Sequence, residues 1–405
     1  MKKTLAAVAA LVVCGAASAQ SSVTLFGVVD VAVSNVSNKA ERVYSLTNPA
    51  LLPDSVKASR TELRNSGLSS SRLGFRGVED LGGGLSASFW LEAPITNDDG
   101  ATGVSTFSRR STVSLAGAFG ELRLGRDTSP VKINDDQYDP FGGTGIGGTL
   151  IATAYSHSRI SNTVQYFLPR NLGGFYGSAM YGMHEKASYS PLTAVQADSK
   201  AGRYFGGRVG YANGPLDVAL AIGQLDGASG GATATGDTLN ILTDRTTKNK
   251  ILNLGATYDF GVVKLFAAYS QNRQERSTLL ADYVGGVLRA QPKTEVQGYL
   301  VGVTVPVGAG LIRASYAHVK YDDNAPVVLF NAAEDRKANK FALGYQHNLS
   351  KRTALYATLA RVSNKNGANL TVGGPALTSA QLAYGGGTYR AKNSTGYEFG
   401  VRHSF

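Results

Sequence analysis

The chain has a single cysteine, Cys14, and once an N-terminal leader is set aside it has none. Disulfide bonds and thiolate metal sites are thereby excluded from the body of the protein. Long apolar runs are missing too: 43% of the residues are hydrophobic, but beyond residue 19 they come in short stretches. A membrane-spanning helix needs roughly 20 consecutive apolar residues, so a helical membrane protein is excluded. One tryptophan and three methionines stand against 49 glycines, 20 tyrosines and 15 phenylalanines. That balance fits many strands and tight turns better than a helical bundle. Acidic residues are the scarcer sign, 29 against 40 lysines and arginines, for a formal net charge of +11. The positive residues are dispersed singly rather than clustered with aromatics, so no nucleic-acid surface is expected. The five histidines, His157, His184, His318, His347 and His403, include no pair at ligand spacing, and no metal or cofactor site is expected.

Residues 1–19 carry Lys2 and Lys3, then the apolar run Leu5 to Gly15, then Ala17-Ser18-Ala19 before Gln20. This is the three-part layout of a secretory signal peptide cleaved after Ala19. Its apolar run is too short to serve as a membrane anchor. Residues 20–405 show no linker and no change of composition, and are expected to form one unit.

That unit repeats an alternating segment, a very short turn, a second alternating segment and a long polar loop. Short turns are expected at Asp80–Gly84, Gly117–Gly120, Leu172–Gly174, Asn213–Pro215, Asp259–Gly261, Val307–Gly310 and Asn348–Lys351. Long polar stretches run over Asn35–Ser70, Asp226–Lys248, Asn272–Lys293, Asp322–Lys337 and Asn364–Asn393. Within Leu216–Gly223, Leu216, Val218, Leu220 and Ile222 share one face, and Asp217, Ala219, Ala221 and Gly223 the other. In the last segment Tyr397, Phe399, Val401 and Phe405 stand opposite Glu398 and Arg402. A half-buried soluble sheet alternates in the same way. Short turns at one end, long loops at the other and an export signal favour an outer-membrane barrel. About sixteen segments, an even number, put both termini at the short-turn end and leave an aqueous lumen. Closure is required because backbone groups in hydrocarbon need partners.

Several stretches carry a specific resemblance. Val23-Thr24-Leu25-Phe26-Gly27, the run Ser71-Arg72-Leu73-Gly74-Phe75-Arg76-Gly77-Val78-Glu79-Asp80-Leu81-Gly82-Gly83-Gly84-Leu85, Gly120-Glu121-Leu122-Arg123-Leu124-Gly125-Arg126 and the terminal Gly400-Val401-Arg402-His403-Ser404-Phe405 resemble the general porins of Gram-negative bacteria, of the Neisseria, Bordetella and Burkholderia type. The resemblance implies a sixteen-stranded homotrimer in the outer membrane, each barrel a separate channel for passive diffusion of ions and small hydrophilic solutes. It implies contact with outer-membrane lipid and lipopolysaccharide, and a terminal Phe405 that signals assembly. It also implies a third long loop, Thr128–Ser158, folded into the lumen with Asp135, Asp136 and Asp139 facing a basic wall of Arg72, Arg109 and Arg159.

Alternation gives its own reading of these arginines. Arg72 alternates with Leu73 and Phe75 and points inward; Arg76 does so if the strand stays regular. Arg159 is opposite in parity to Ile160, Asn162, Val164 and Tyr166, and again points inward. Arg109 shares parity with Val113 and Leu115, so either a bulge intervenes or Arg110 is the inward residue. Arg126 shares parity with Leu122 and Leu124 and is the weakest member of the wall. A lipid-facing arginine at mid-depth costs about 2–4 kcal/mol, which favours the lumen for mid-wall arginines. Trp90 falls on the luminal face, where a polar residue is usual; either it narrows the pore or the register differs. Opposed arginines and carboxylates would set a transverse field and a mild anion preference.

Other motifs carry less. Gly143-Thr144-Gly145-Ile146-Gly147-Gly148 has dinucleotide-loop spacing but no preceding buried strand, so it reads as glycines that let a loop fold tightly. No serine sits in a Gly-x-Ser-x-Gly elbow. An outer-membrane lipid hydrolase would need a serine and a histidine on adjacent strands at one height on the outer face. A substrate-specific channel is a further alternative, distinguished by saturable binding in the lumen.

Overall fold

The computed structural model describes residues 22–43, 52–151, 157–185, 201–229, 245–277, 282–284, 287–289, 294–322, 335–375, 377–383 and 388–405. The expected export signal, 1–19, lies outside the described residues.

The alternating segments are strands, and the short turns pair them into antiparallel hairpins. In chain order they are β1 (Ser22–Arg42), β2 (Ser55–Asn65), β3 (Arg72–Gly82), β4 (Leu85–Pro94), β5 (Arg110–Gly117), β6 (Gly120–Thr128), β7 (Arg159–Phe167), β8 (Phe175–Gly182), β9 (Tyr204–Asn213), β10 (Leu216–Ser229), β11 (Arg245–Asp259), β12 (Lys264–Ser277), β13 (Asp282–Val284), β14 (Val287–Arg289), β15 (Thr294–Val307), β16 (Gly310–Asp322), β17 (Arg336–Asn348), β18 (Thr353–Lys365) and β19 (Tyr389–Ser404). Two helices among the described residues, α1 (Pro130–Gln137) and α2 (Ser379–Leu382), lie in long loops. Among the described residues β13 and β14 pair only with each other, while the others form one 17-stranded sheet that closes β1 onto β19. Because β2 and β3 follow one another along the same flank of β1, the closed barrel is 16 strands around. The first described strand starts and the last strand ends at the short-turn end, where Gly27 and Phe405 exchange backbone hydrogen bonds of 3.0 and 3.1 Å.

The two faces of the sheet differ as alternation requires. Leu220 pairs with Leu254 and Ile222 with Leu252 on the outer face, which faces lipid. Phe399 (58% exposed) and Leu359 (55%) belong to the same apolar girdle. The intervening positions Ala219, Ala221, Asn253 and Ser270 are buried on the luminal side. Several stretches expected as loops are partly strand: β1 and β2 fill much of Asn35–Ser70, and β10 and β11 extend into Asp226–Lys248. These extensions carry no apolar stripe, because a strand outside the hydrocarbon layer needs none.

The second wall position is interrupted. Val28 pairs with Arg72 in β3 and Val31 with Asn65 in β2, so residues 66–71 leave the ladder over a short step of β1. Asp30 on the luminal face of β1 holds the excursion. Its carboxylate accepts the backbone N–H groups of Gly67 (3.3 Å), Leu68 (2.9 Å) and Ser69 (2.5 Å) and the Tyr356 hydroxyl at 2.5 Å. Hydrogen bonds to a charged group contribute about 1.5–3 kcal/mol each, enough to offset the lost ladder pairs. The break leaves Arg72 at the start of β3, beside Glu92.

Candidate functional site

The loop between β6 and β7 enters the barrel and crosses it. Ser129 caps α1, its hydroxyl accepting the Lys132 N–H at 3.2 Å, and Pro130 occupies the first turn, where its missing N–H costs nothing. One side of the helix is fastened to the wall formed by β8–β11. Val131 packs on Ala221 and Ile251. Arg208 donates to Asn134 Oδ1 (2.9 Å) and Gln137 Oε1 (2.6 Å), while Gln137 Nε2 donates to Asp217 Oδ2 at 2.6 Å. Tyr138 lies against Gly255, where any Cβ would overlap its ring, and donates to Asp217 at 3.0 Å. The loop then reaches the opposite wall, where Phe141 and Ile146 pack among Val36, Val319, Ala342 and Ala360 of β1 and β16–β18. Gly142, Gly143 and Gly145 take φ of 62°, 67° and 65°, the left-handed conformations that let this tip turn tightly.

The three loop aspartates part company. Asp139 is 4% exposed and points into the loop itself, where it accepts the N–H groups of Phe141 (3.0 Å), Gly143 (2.9 Å) and Thr149 (2.9 Å). Asp135 turns to the wall and accepts Asn253 Nδ2 at 2.8 Å; burial pushes its carboxyl up to about 7. Asp136 alone is open to the lumen, with 40% of its side chain exposed, and it forms an ion pair with Lys132 one turn earlier. Burial raises the Asp136 pKa, while Lys132, Arg159 and Arg109 pull it down. The expectation of three lumen-facing loop carboxylates is therefore corrected to one. Free backbone N–H groups in a tight turn, and an amide on the wall, take up the other two.

The arginines converge from the opposite side. Glu92 on β4 pairs with Arg109 at 2.6 Å and Arg72 at 3.8 Å. Arg159, the first residue of β7, donates Nε to the Arg109 carbonyl at 3.1 Å. Arg110 is in register with Glu92 on the luminal row, and Arg109 bends in from the end of the preceding loop, so both reach the lumen. The parity argument for Arg159 is corrected. Ile160 is luminal, packed on Met180 and Tyr204, and alternation reverses at Asn162, whose φ is 58°. Arg126 does not join the wall: unbroken alternation with Leu122 and Leu124 keeps it in register with outward Ser111, and it donates to the Ser108 carbonyl and Ser161 hydroxyl. Arg123 and Asp127 take the luminal places there, 2.6 Å apart.

Trp90 is luminal in a regular register. It packs edge-on to Phe26 (4.9 Å), with Arg110 4.5 Å and Arg76 5.2 Å from its ring, and donates to Glu92 at 3.2 Å. Sequence reasoning missed Arg313 and Arg402, which line the lumen and each leave a buried Nε without a hydrogen-bond partner. Arg402 had the signal: it alternates with Phe399 and Val401 in the last strand. Lys340, whose Nζ binds the Gly148 carbonyl and secures the loop tip, had the same signal, standing opposite in parity to Phe341, Leu343 and Tyr345. Among the described residues no group of three metal-ligating side chains occurs. The strand histidines His318, His347 and His403 hydrogen-bond Asn339, Tyr345 and Thr353.

Comparison with known proteins bears on this geometry. The chain matches the Gram-negative porin family over residues 4–367. It is 40% identical to outer membrane porin protein 32 of Delftia acidovorans over the full length of both chains. It is 32% identical to an outer membrane porin protein of Bordetella pertussis, covering 88% of this chain and 93% of that one. Among solved structures, the anion-selective porin from Comamonas acidovorans superposes with a TM-score of 0.70 at 38% identity, covering 95% of this chain and all of that one. A trimeric form of OmpT from Vibrio cholerae shares the fold, with a TM-score of 0.62 at 15% identity. A closed barrel with a lipid-facing apolar girdle, a polar lumen and a loop folded across it, matched over most of its length to this family, is a Gram-negative outer-membrane porin.

Proposed function

We propose that this porin prefers anions, and that the preference arises at the neck between the loop and the arginine wall. The observation that carries the reading is the fate of the loop acids: only Asp136 is open to the lumen, and Lys132 already pairs with it. Arg72, Arg109, Arg110 and Arg159 with Glu92 and Asp127 leave the wall cationic, and Arg313 and Arg402 add to it. A net positive field in a narrow low-dielectric passage concentrates anions there, while the width between loop and wall sets the size limit. The solved relative described as anion-selective supports the same direction. In this reading three copies assemble as a homotrimer of separate channels, residues 1–19 direct export, and Phe405 marks the last strand for assembly.

Ion substitution in single-channel recordings tests it. Replacing chloride by a bulkier anion should lower conductance markedly, whereas replacing potassium by lithium should change it little. The reverse ranking would sink the proposal.

A further inference from the structure

On the short-turn side of the loop lies a cavity of about 680 Å³. Ile133 of α1 closes it above, Phe167 and Tyr176 line its wall with Arg123 and Arg208, and Arg170 stands exposed at its rim. Two guanidinium groups lie over rings: Arg123 is 4.2 Å from the Phe167 centroid and Arg208 is 4.9 Å from that of Tyr176. Their charges are in different states. Arg123 is neutralised by Glu121 (2.7 Å) and Asp127 (2.6 Å). Arg208 is held by neutral groups, Asn134 (2.9 Å), Gln137 (2.6 Å) and the Tyr176 hydroxyl (3.2 Å), and among the described residues its Nη1 has no partner. The carboxylate of Asp217 reaches Arg208 only through intervening neutral groups such as the Tyr176 hydroxyl, which donates to it at 2.5 Å, so the cavity offers a positioned guanidinium edge with no direct carboxylate partner among the described residues, beside a phenyl ring and an isoleucine that water solvates poorly.

We propose that this cavity is a retention site for small aromatic carboxylates. The proposal rests on the anion-preferring reading and adds a solute class to it. The carboxylate would meet Arg208 Nη1 and Arg170 in a charge-assisted pair, and the ring would bury against Phe167 and Ile133. The volume lies within the range of small-molecule sites, roughly 300–1,000 Å³. Chloride and short aliphatic acids find the charge but nothing for a ring to cover, so they pass without being held.

Single-channel recording with benzoate or acetate added at equal concentration tests the site. Benzoate should interrupt the current in a saturable way and acetate should not. Phe167→Leu should weaken the apparent benzoate affinity about fivefold, the size of one aromatic contact. Arg170→Gln, an exposed change at the rim that leaves folding alone, should weaken it as well and carries the test if Phe167→Leu does not insert. Equal effects of benzoate and acetate on the unmodified protein overturn the proposal, as does a benzoate affinity unchanged in the variants. A cation-selective channel that still binds benzoate would refute the anion-preferring reading and leave the site standing.

Discussion

Across the neck, the loop carries three carboxylates and one lysine, Lys132, while on the wall Arg72, Arg109, Arg110, Arg159, Arg313 and Arg402 outnumber Glu92 and Asp127. Geometry separates the two sides further. The loop spends Asp139 on three of its own N–H groups and Asp135 on the wall amide of Asn253, whereas the wall leaves Arg159, Arg313 and Arg402 bound to carbonyl or amide oxygens or unpaired. A carboxylate in a tight loop is surrounded by free N–H donors and is readily consumed as structure. A guanidinium on a regular strand meets a backbone already paired in the ladder, and keeps its charge for the lumen.

The comparison breaks most severely at Asp139. Asp139→Ala orphans the N–H groups of Phe141, Gly143 and Thr149, at a cost of about 3–5 kcal/mol to the docked loop. Open-channel current noise and solute size exclusion should both rise; a quiet channel of unchanged exclusion would mean that the loop is held elsewhere. Glu92→Gln acts on the other side. It removes the carboxylate from Arg109 and Arg72, so the anion preference should strengthen, read as permeability ratio. A shift toward cations would contradict the role given to Glu92.

Asp135 sharpens the contrast through pH. Its carboxyl titrates near 7 when docked and in the ordinary carboxylate range when the loop is free. The docked state therefore binds the proton more tightly: docking is strongest at acid pH, weakens as pH rises between those two values, and stays at the weaker level above about 7. Asp135→Asn keeps an acceptor for Asn253 and should remove this dependence, measured as channel noise against pH. A pH profile identical to that of the unmodified protein would sink the assignment. Asp136→Asn should give the smallest change, a modest shift toward anions read as permeability ratio, because Lys132 is left without its partner on a partly solvent-exposed face.

The barrel was legible because the requirement behind it is periodic. Lipid on one face and water on the other force alternation, and the turns at residues 80–84, 117–120 and 213–215 mark its hairpins. What alternation misses is where the period slips. Asn162 reverses the parity on which Arg159 was read, whereas Arg126 keeps the outward parity it shares with Leu122 and Leu124. The excursion at residues 66–71 depends on Asp30, far away in sequence, so no local pattern announces it. The loop acids were legible as residues but not as charges, because their partners are backbone groups and Asn253, which only the folded loop brings within reach.

The reversal potential across a potassium chloride gradient tests the central claim most directly, measured on the unmodified protein and on Lys132→Met. The account predicts a potential on the chloride side for the first and a shift toward cations for the second, where Asp136 loses its partner. A cation-side potential in the unmodified protein, or no shift in Lys132→Met, would contradict it.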